Sequence, residues 1–389
     1  MIVHSYYDED PRARREAEAL VAAGHPVDVI ALRREDDATE SEVAGVHVRR
    51  LGVQRHQGAG IGVYLREYLS FLVRSGWALA GAHRRRRYGL VQVHSLPDFL
   101  AFAALPLRLR GVPLLLDLHE AMPEFFRSRF PRASNPLFHA LLRAQERLSI
   151  AFASAVLTVN EPMAERLITL GVRPAKVHVV ANRPSLERFD ASAHPARPFG
   201  EDGMVRIVYA GALTPTYEVD VVLDAVAWLA DRRPDLRLSL DLYGRGDSEV
   251  ALRAQAERLA IADRVRFHGR IPIEAVPSAI AAADIGVAPT RRDRFTDVSL
   301  STKLFEYAAM GKPVVATRLP LVEQTFAPGT AWTYEAGEPA SMAAAIVAVA
   351  DDAARRDAAV EACRSIVLDA SWEHEAKRYV ALVDALLEP

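Results

Sequence analysis

The stretch VSLSTKLFEYAAMGKPVV, residues 298–315, carries the reading of the fold. Three small hydroxyl residues, Ser299, Ser301 and Thr302, precede a run that reads as a helix from about Thr302 to Met310, and Gly311 stands where helices end in a left-handed residue. The residues Pro313 to Thr317 then read as a strand, as does DIGVAP (Asp284 to Pro289) upstream. Strand, loop, helix and strand in that order is the repeating unit of a parallel sheet with crossover helices. Backbone N–H groups at the helix start, beside Lys303, suit a phosphate. Glu306, three residues on, shares the helix face, and a carboxylate there suits a ribose diol. A capped surface helix with a Lys/Glu pair accounts for the same residues equally well.

Outward from this block the alternation continues. VRIVYAG (Val205 to Gly211), LRLSLDLYG (Leu236 to Gly244) and RVRFHG (Arg264 to Gly269) complete one series of strands. An earlier series comprises MIVHS (Met1 to Ser5), VDVIAL (Val27 to Leu32), VHVRRL (Val46 to Leu51), LVQVHS (Leu90 to Ser95), VPLLLD (Val112 to Asp117), AVLTVN (Ala155 to Asn160) and VHVVAN (Val177 to Asn182). Between the two, residues 183–203 are rich in proline and glycine and lack periodicity, as a linker does. The expectation is an α/β chain of two doubly wound, Rossmann-like domains, 1–185 and 204–370, joined by 186–203. The apolar stripe of Ser371 to Leu387 is too apolar to be left in water, and residues 371–389 are expected to pack back on the first domain.

Composition narrows the function. The chain has 389 residues with 48 Lys and Arg against 50 Asp and Glu, a formal charge of −2 that does not favour nucleic acid as partner. A single cysteine, Cys363, precludes an intramolecular disulfide and a thiolate metal site, which fits a reducing, cytoplasmic compartment. The longest run without Asp, Glu, Lys or Arg, Leu148 to Asn160, is 13 residues, too short to span a bilayer, and the opening MIVHSYYDEDPRARRE lacks the apolar segment of a signal peptide. The helical segment Gly60 to His83, followed by Arg84 to Arg87, reads either as a core helix ending in cations or as a helix lying on an anionic membrane. The core reading is preferred, with peripheral membrane contact through 60–87 kept open. Asp8-Glu9-Asp10 reads as solvated acids rather than a metal motif, and no His/Cys metal spacing is present.

Ligands of doubly wound sheets lie beyond the carboxyl ends of the strands. That rule selects Tyr6, Tyr7, His119, Glu120, Asn160, Gly211 to Tyr217, Gly244 to Asp247, His268, Gly269 and Pro289 to Lys303. In these loops, in HSLPDFLAF (His94 to Phe102), LLDLHEAMPEFF (Leu115 to Phe126), VYAGALTPTYEVDVVLDA (Val208 to Ala225) and LYGRGDSEVALRAQAERLAIADRVRFHGRIP (Leu242 to Pro272), and in the block at 298–315, the chain resembles the retaining glycosyltransferases of family four, with the GT-B fold. The resemblance is to the subgroup with a Ser-x-Pro-Thr-Lys-x-x-Glu-like signature and covers nearly the whole chain.

The resemblance implies two domains facing a central cleft. It implies a nucleotide-diphosphate sugar, UDP- or GDP-linked, as co-substrate, with no metal or other cofactor. The acceptor would be a sugar, a lipid-linked group or a natural product. Donor-binding positions would be Gly211, Thr214, Gly244, Arg245, His268, Gly269, Ser299, Leu300, Ser301, Thr302, Lys303 and Glu306. Catalytic positions would be His119, Lys303 and Asp297, and acceptor-side candidates Tyr6, Tyr7, Glu120 and Asn160. The chain departs from the family pattern at Val298, where the first acid of a Glu-x7-Glu motif is expected. It departs again at Ser301, where the signature has proline, and at Ala212 and Tyr217, in a loop that commonly carries an Arg and a Lys. Another GT-B enzyme, an epimerase or phosphorylase, and a catalytically impaired nucleotide-sugar-binding protein are the alternatives.

Overall fold

The computed structural model describes residues 1–54, 56, 60–129, 135–195, 197–326 and 328–388. The chain divides into two compact units, Met1–Asn182 with the segment from His374 onward, and Arg183–Glu373. Residues 186–203 fall inside the second unit, where Phe189 is buried in the core.

The strands are β1 (Asp28–Leu32), β2 (Glu40–Val43), β3 (Val46–Leu51), β4 (Val91–His94), β5 (Leu114–Leu118), β6 (Ala155–Thr158), β7 (Val177–Val179), β8 (Met204–Ala210), β9 (Arg237–Tyr243), β10 (Val265–Gly269), β11 (Ile285–Ala288), β12 (Val314–Thr317) and β13 (Trp332–Tyr334). In the first unit β1-β3-β2 and β4-β5-β6-β7 form two sets joined through Ile2, which bridges in parallel to Ile30 and to Val93. The residues Met1 to Ser5 were expected as a strand. They form an extended segment between β4 and β1, bonded to the first through Ile2 N–H to Gln92 O and His94 N–H to Ile2 O, and to the second through Val3 N–H to Ile30 O, Ile30 N–H to Met1 O and Leu32 N–H to Ser5 O.

The helices of the first unit are α1 (Pro11–Ala22), α2 (Ile61–Arg86), α3 (Leu105–Arg108), α4 (Met122–Arg129), α5 (Pro136–Phe152) and α6 (Glu161–Thr169). A 3₁₀ segment, Asp98–Ala104, follows β4 and packs against α2, α3 and α5. Asp8, Glu9 and Asp10 are not the free solvated acids expected. Asp8 pairs with Arg50 at 3.0 Å and Glu9 with Arg34, while Asp10 caps α1 by accepting from Ala13 N–H at 3.0 Å.

The second unit is a six-stranded parallel sheet in the order β10-β9-β8-β11-β12-β13. Its helices are α7 (Val219–Arg232), α8 (Glu249–Arg258), α9 (Val276–Ala281), α10 (Thr302–Ala309), α11 (Pro320–Thr325), α12 (Pro339–Asp351) and α13 (Ala353–Asp369). Successive residues of the central strands bury against opposite layers. Ile207, Val287 and Val315 enter one core cluster, and Val208, Ala288 and Ala316 the other. This two-sided burial explains why the strands read as continuous apolar runs. Counting strands from β8, the order is 3-2-1-4-5-6, so the direction of winding reverses between β8 and β11, and a crevice opens there beyond the strands' carboxyl ends. The last helix, α14 (Trp372–Leu387), leaves the second unit after Glu373 and buries Tyr379 and Val383 in the first.

Candidate active site

The crevice between β8 and β11 is where the sequence places most donor-side residues. Helix α10 begins beside it. Ser301 is its N-cap in extended conformation, yet no side chain caps the helix, so the N–H groups of Thr302 and Lys303 stay available to an anion. Lys303 points back into the crevice and is only 7% exposed. Its ammonium lies 4.0 Å from the centre of the Tyr217 ring and 5.3 Å from that of Tyr209. The two rings hold the cation by their negative faces. No carboxylate or hydrogen-bond acceptor engages it among the described residues. The lysine can lie there because residue 211 is glycine: a Cβ at that position would overlap Lys303 Cε.

The glycine-rich loop after β9 closes the floor. Gly244, at φ 141°, lies directly over Gly211, whose carbonyl oxygen would overlap a Cβ at 244. Backbone bonds lock the loops: Gly211 N–H to Tyr243 O at 2.8 Å, Gly244 N–H to Gly269 O at 2.8 Å and Leu213 N–H to Arg245 O at 3.1 Å. The Arg245 guanidinium extends toward Gly269. Gly211, Gly244, Arg245, Gly269 and Lys303 are thus contiguous. Thr214 accepts from Tyr217 N–H at 3.0 Å in the turn that positions the tyrosine ring. Glu306 follows Lys303 by one turn of α10 and is partly exposed.

Other donor-side positions lie further out. Ser299 donates its hydroxyl to Phe295 O at 2.9 Å, and Leu300 packs against the core cluster that includes α10. Asp297 faces the exposed Arg292 at 3.3 Å. His268 sits at an irregularity of edge strand β10, stacked on Tyr243 with ring centres 4.3 Å apart and its Nε2 2.6 Å from Asp241.

In the first unit the strand ends gather a buried charge cluster. Asp117, at the end of β5, receives both Arg12 Nε at 2.7 Å and Arg12 Nη2 at 2.6 Å, with His94 Nδ1 at 2.9 Å. Burial alone would raise the Asp117 carboxyl, but the guanidinium and the neighbouring histidines hold it well below its usual range. His119 Nδ1 lies 3.6 Å from the same carboxylate, a charge contact too long for a hydrogen bond. Burial lowers the affinity of His119 for its proton, Asp117 restores it, and the net effect is a raised value. His94, Asp117 and His119 offer ligand atoms within 4.8 Å of one another, although both Asp117 oxygens are already committed to Arg12. Desolvation pushes the Glu120 carboxyl up against the pull of His119.

The remaining acceptor-side candidates separate. Tyr6 lies under the Arg34 guanidinium at 4.4 Å, Tyr7 is fully buried, and Asn160 caps α6 by accepting from Met163 N–H at 2.8 Å. Asp98 received no role from the sequence, though it stands just after β4. It is fully buried with neither carboxylate oxygen hydrogen-bonded, and burial together with the Glu146 charge pushes it up to about 8. Its position after a strand was the one available signal.

Residues 10–183 match the family model described as Glycosyl transferase 4-like domain, and residues 205–352 match Glycosyl transferases group 1. Alpha-D-kanosaminyltransferase of Streptomyces kanamyceticus is 26% identical over 268 residues, 65% of this chain and 66% of that protein. A D-inositol 3-phosphate glycosyltransferase of Geodermatophilus obscurus is 30% identical over 255 residues, 62% of this chain and 55% of that protein. The matched region spans less than two thirds of the length of these relatives. Among solved structures, sucrose-phosphate synthase from Thermosynechococcus elongatus superposes with a TM-score of 0.76 at 20% identity, covering 99% of this chain and 98% of that one. Anabaena HepE, solved in complex with UDP-glucose, gives 0.71 at 15% identity over 99% of this chain and 98% of that one. At these identities the likeness speaks for the fold alone.

Proposed function

We propose, from the premise that this chain belongs to the GT-B glycosyltransferases of the 4-like and group 1 type, that it moves a sugar from a nucleoside diphosphate to an acceptor hydroxyl with retention at the anomeric carbon. The bond from the anomeric carbon to the diphosphate breaks, and a bond to the acceptor oxygen forms on the same face. The acceptor proton passes to the departing phosphate. The observation that carries this reading is Lys303: a desolvated ammonium at the uncapped start of α10, at the topological switch point of the second unit. A cation so placed, with free helix N–H groups beside it, stabilises charge developing on a leaving diphosphate without a metal. It takes the place of the Arg/Lys pair missing from the loop at Ala212 and Tyr217, and Tyr217 itself aims it.

UDP is the preferred nucleotide because proteins of this fold are solved with UDP or UDP-sugars. GDP is the second choice. Glu306 is assigned to the ribose and His119 to the sugar near its reacting carbon. Sugar, lipid-linked and natural-product acceptors fit the reading alike, and a cytoplasmic setting belongs to the same proposal. An impaired binding protein is the second reading, favoured by Val298 where a donor-sugar acid is expected.

The test is calorimetric titration with UDP and GDP, followed by donor turnover with and without simple acceptors. Micromolar UDP binding with acceptor-dependent turnover supports transfer. Binding with no turnover selects the impaired protein, and no nucleotide binding rejects both. Glu306→Ala is expected to weaken UDP binding about 10- to 150-fold, the equivalent of the roughly 1.5 to 3 kcal/mol of a hydrogen bond to a charged group. Unchanged affinity would remove Glu306 from the ribose.

A further inference from the structure

Helix α2 presents two faces of different chemistry. Its inner face buries Phe71, Ser75 and Leu79. Its outer face exposes Leu65, Leu69, Val73 and Trp77 at four-residue intervals, and Trp77 is 78% exposed. Between and after them stand the exposed arginines Arg66, Arg74, Arg84, Arg85 and Arg87. The one acid of the helix, Glu67, is turned inward between His4 and His56, each at 3.1 Å. A helix at an ordinary water-facing surface carries polar residues of both signs there.

The pattern recurs nearby. Helix α5 exposes Leu137, Leu141 and Leu148 with Arg143 and Arg147, and its one acid, Glu146, is buried against Arg166 at 2.7 Å. Leu105 on α3 and Leu109 just after it are exposed beside Arg110, Leu109 to 79%. All three helices pack on the 3₁₀ segment Asp98–Ala104 and so form one layer of the first unit. Ten of the fourteen large exposed apolar side chains of the described residues fall on these three segments, which makes them a patch rather than scatter.

We propose that the first unit docks on an anionic lipid surface through the outer faces of α2, α3 with Leu109 and Arg110, and α5. Leucine, valine and tryptophan side chains enter the headgroup boundary while arginines meet lipid phosphates. Tryptophan is suited to that boundary, with an apolar ring and one N–H donor. A second copy of this chain is a poor occupant, since it would bring arginine against arginine. The positive character is local, for the whole chain carries −2. The proposal goes beyond the transferase reading and stands apart from it.

Co-sedimentation with vesicles of equal parts phosphatidylglycerol and phosphatidylcholine, against phosphatidylcholine alone, is the test. Binding to the anionic vesicles about tenfold or more tighter, released as salt screens the charges, is expected. Leu69→Ser with Trp77→Ser, and separately Arg84→Glu with Arg85→Glu, should each weaken it about tenfold, with melting temperature and nucleotide affinity unchanged because all four side chains are exposed. Leu368→Ser, exposed on the second unit, should have no effect. Absent binding, equal binding to the neutral vesicles, or indifference to both double variants would overturn the proposal. So would a solution dimer that Trp77→Ser dissociates, which would assign the patch to a second copy. Brominated lipids that quench tryptophan emission in the parent protein but not in Trp77→Phe give a readout independent of the serine variants.

Discussion

Lys303, in the first turn of α10, and Asp98, at the start of the 3₁₀ segment after β4, are both buried ionisable side chains, and they respond oppositely to removal. Lys303 is held by tyrosine rings and makes no ion pair among the described residues, so its charge is uncompensated until an anion arrives. Lys303→Ala should therefore lower kcat by about 10² to 10³ while leaving stability nearly unchanged, as for loss of one preorganised group facing a developing anion. Steady-state turnover at saturating donor checks this, and a near-parental kcat would return Lys303 to a structural role. Asp98 forms no ion pair among the described residues. Its carboxyl is raised to about 8 from an ordinary 3.8, so the folded protein keeps a proton that the unfolded chain has lost. Stability should accordingly fall as pH rises through that window, by about 1.4 kcal/mol per unit at most, and level off above pH 8. Asp98→Asn removes the titration, and denaturant unfolding of the variant from pH 5 to 8 should be flatter than that of the parent. The two residues were unequally legible. Lys303 lies within a local helix-start pattern, whereas the burial of Asp98 and the Arg12–Asp117 pair, 105 residues apart in sequence, depend on tertiary packing that no local spacing records.

Strands buried on both faces declare themselves as apolar runs, and β4 to β6, β8, β9, β11 and β12 were readable for that reason. The antiparallel edge strand β2, ESEV, gives no such signal because its side chains stand in water, and β13 is only three residues long. Helix α14 was readable from its stripe, but its anchoring was not. Tyr379 donates its hydroxyl to Gln92 Oε1 at 2.5 Å, and Gln92 Nε2 donates to Glu16 Oε2 at 2.5 Å. Glu16 is pushed up by burial and by Asp117, so this chain of bonds couples the last helix to the Arg12 cluster. Tyr379→Phe leaves Gln92 Oε1 buried without its donor and should cost about 1 to 3 kcal/mol, read as a lower midpoint in urea. An unchanged midpoint would mean that α14 is held by apolar contact alone.

At the scale of the whole molecule, the sequence made two series of strands plain, and the boundary between them less so. Proline and glycine marked 183–203 as a linker, yet Phe189 anchors that stretch in the second core, a choice set by burial rather than by backbone propensity. The first unit is completed only by residues from His374 onward. Ending the chain at Glu373 should therefore accelerate amide exchange in β4 and α1, whose side chains Gln92 and Glu16 face Tyr379, and leave β8 and β9 as slow as before. Uniform acceleration across both units would contradict that division. The same connectivity orders events on the ribosome. The second unit is continuous and can close as soon as Glu373 clears the exit tunnel, while the first, begun earlier, must wait with Gln92 Oε1 lacking its Tyr379 donor until α14 has followed. Translation thus hands chaperones an unfinished amino-terminal half for the time it takes to synthesise everything that follows it.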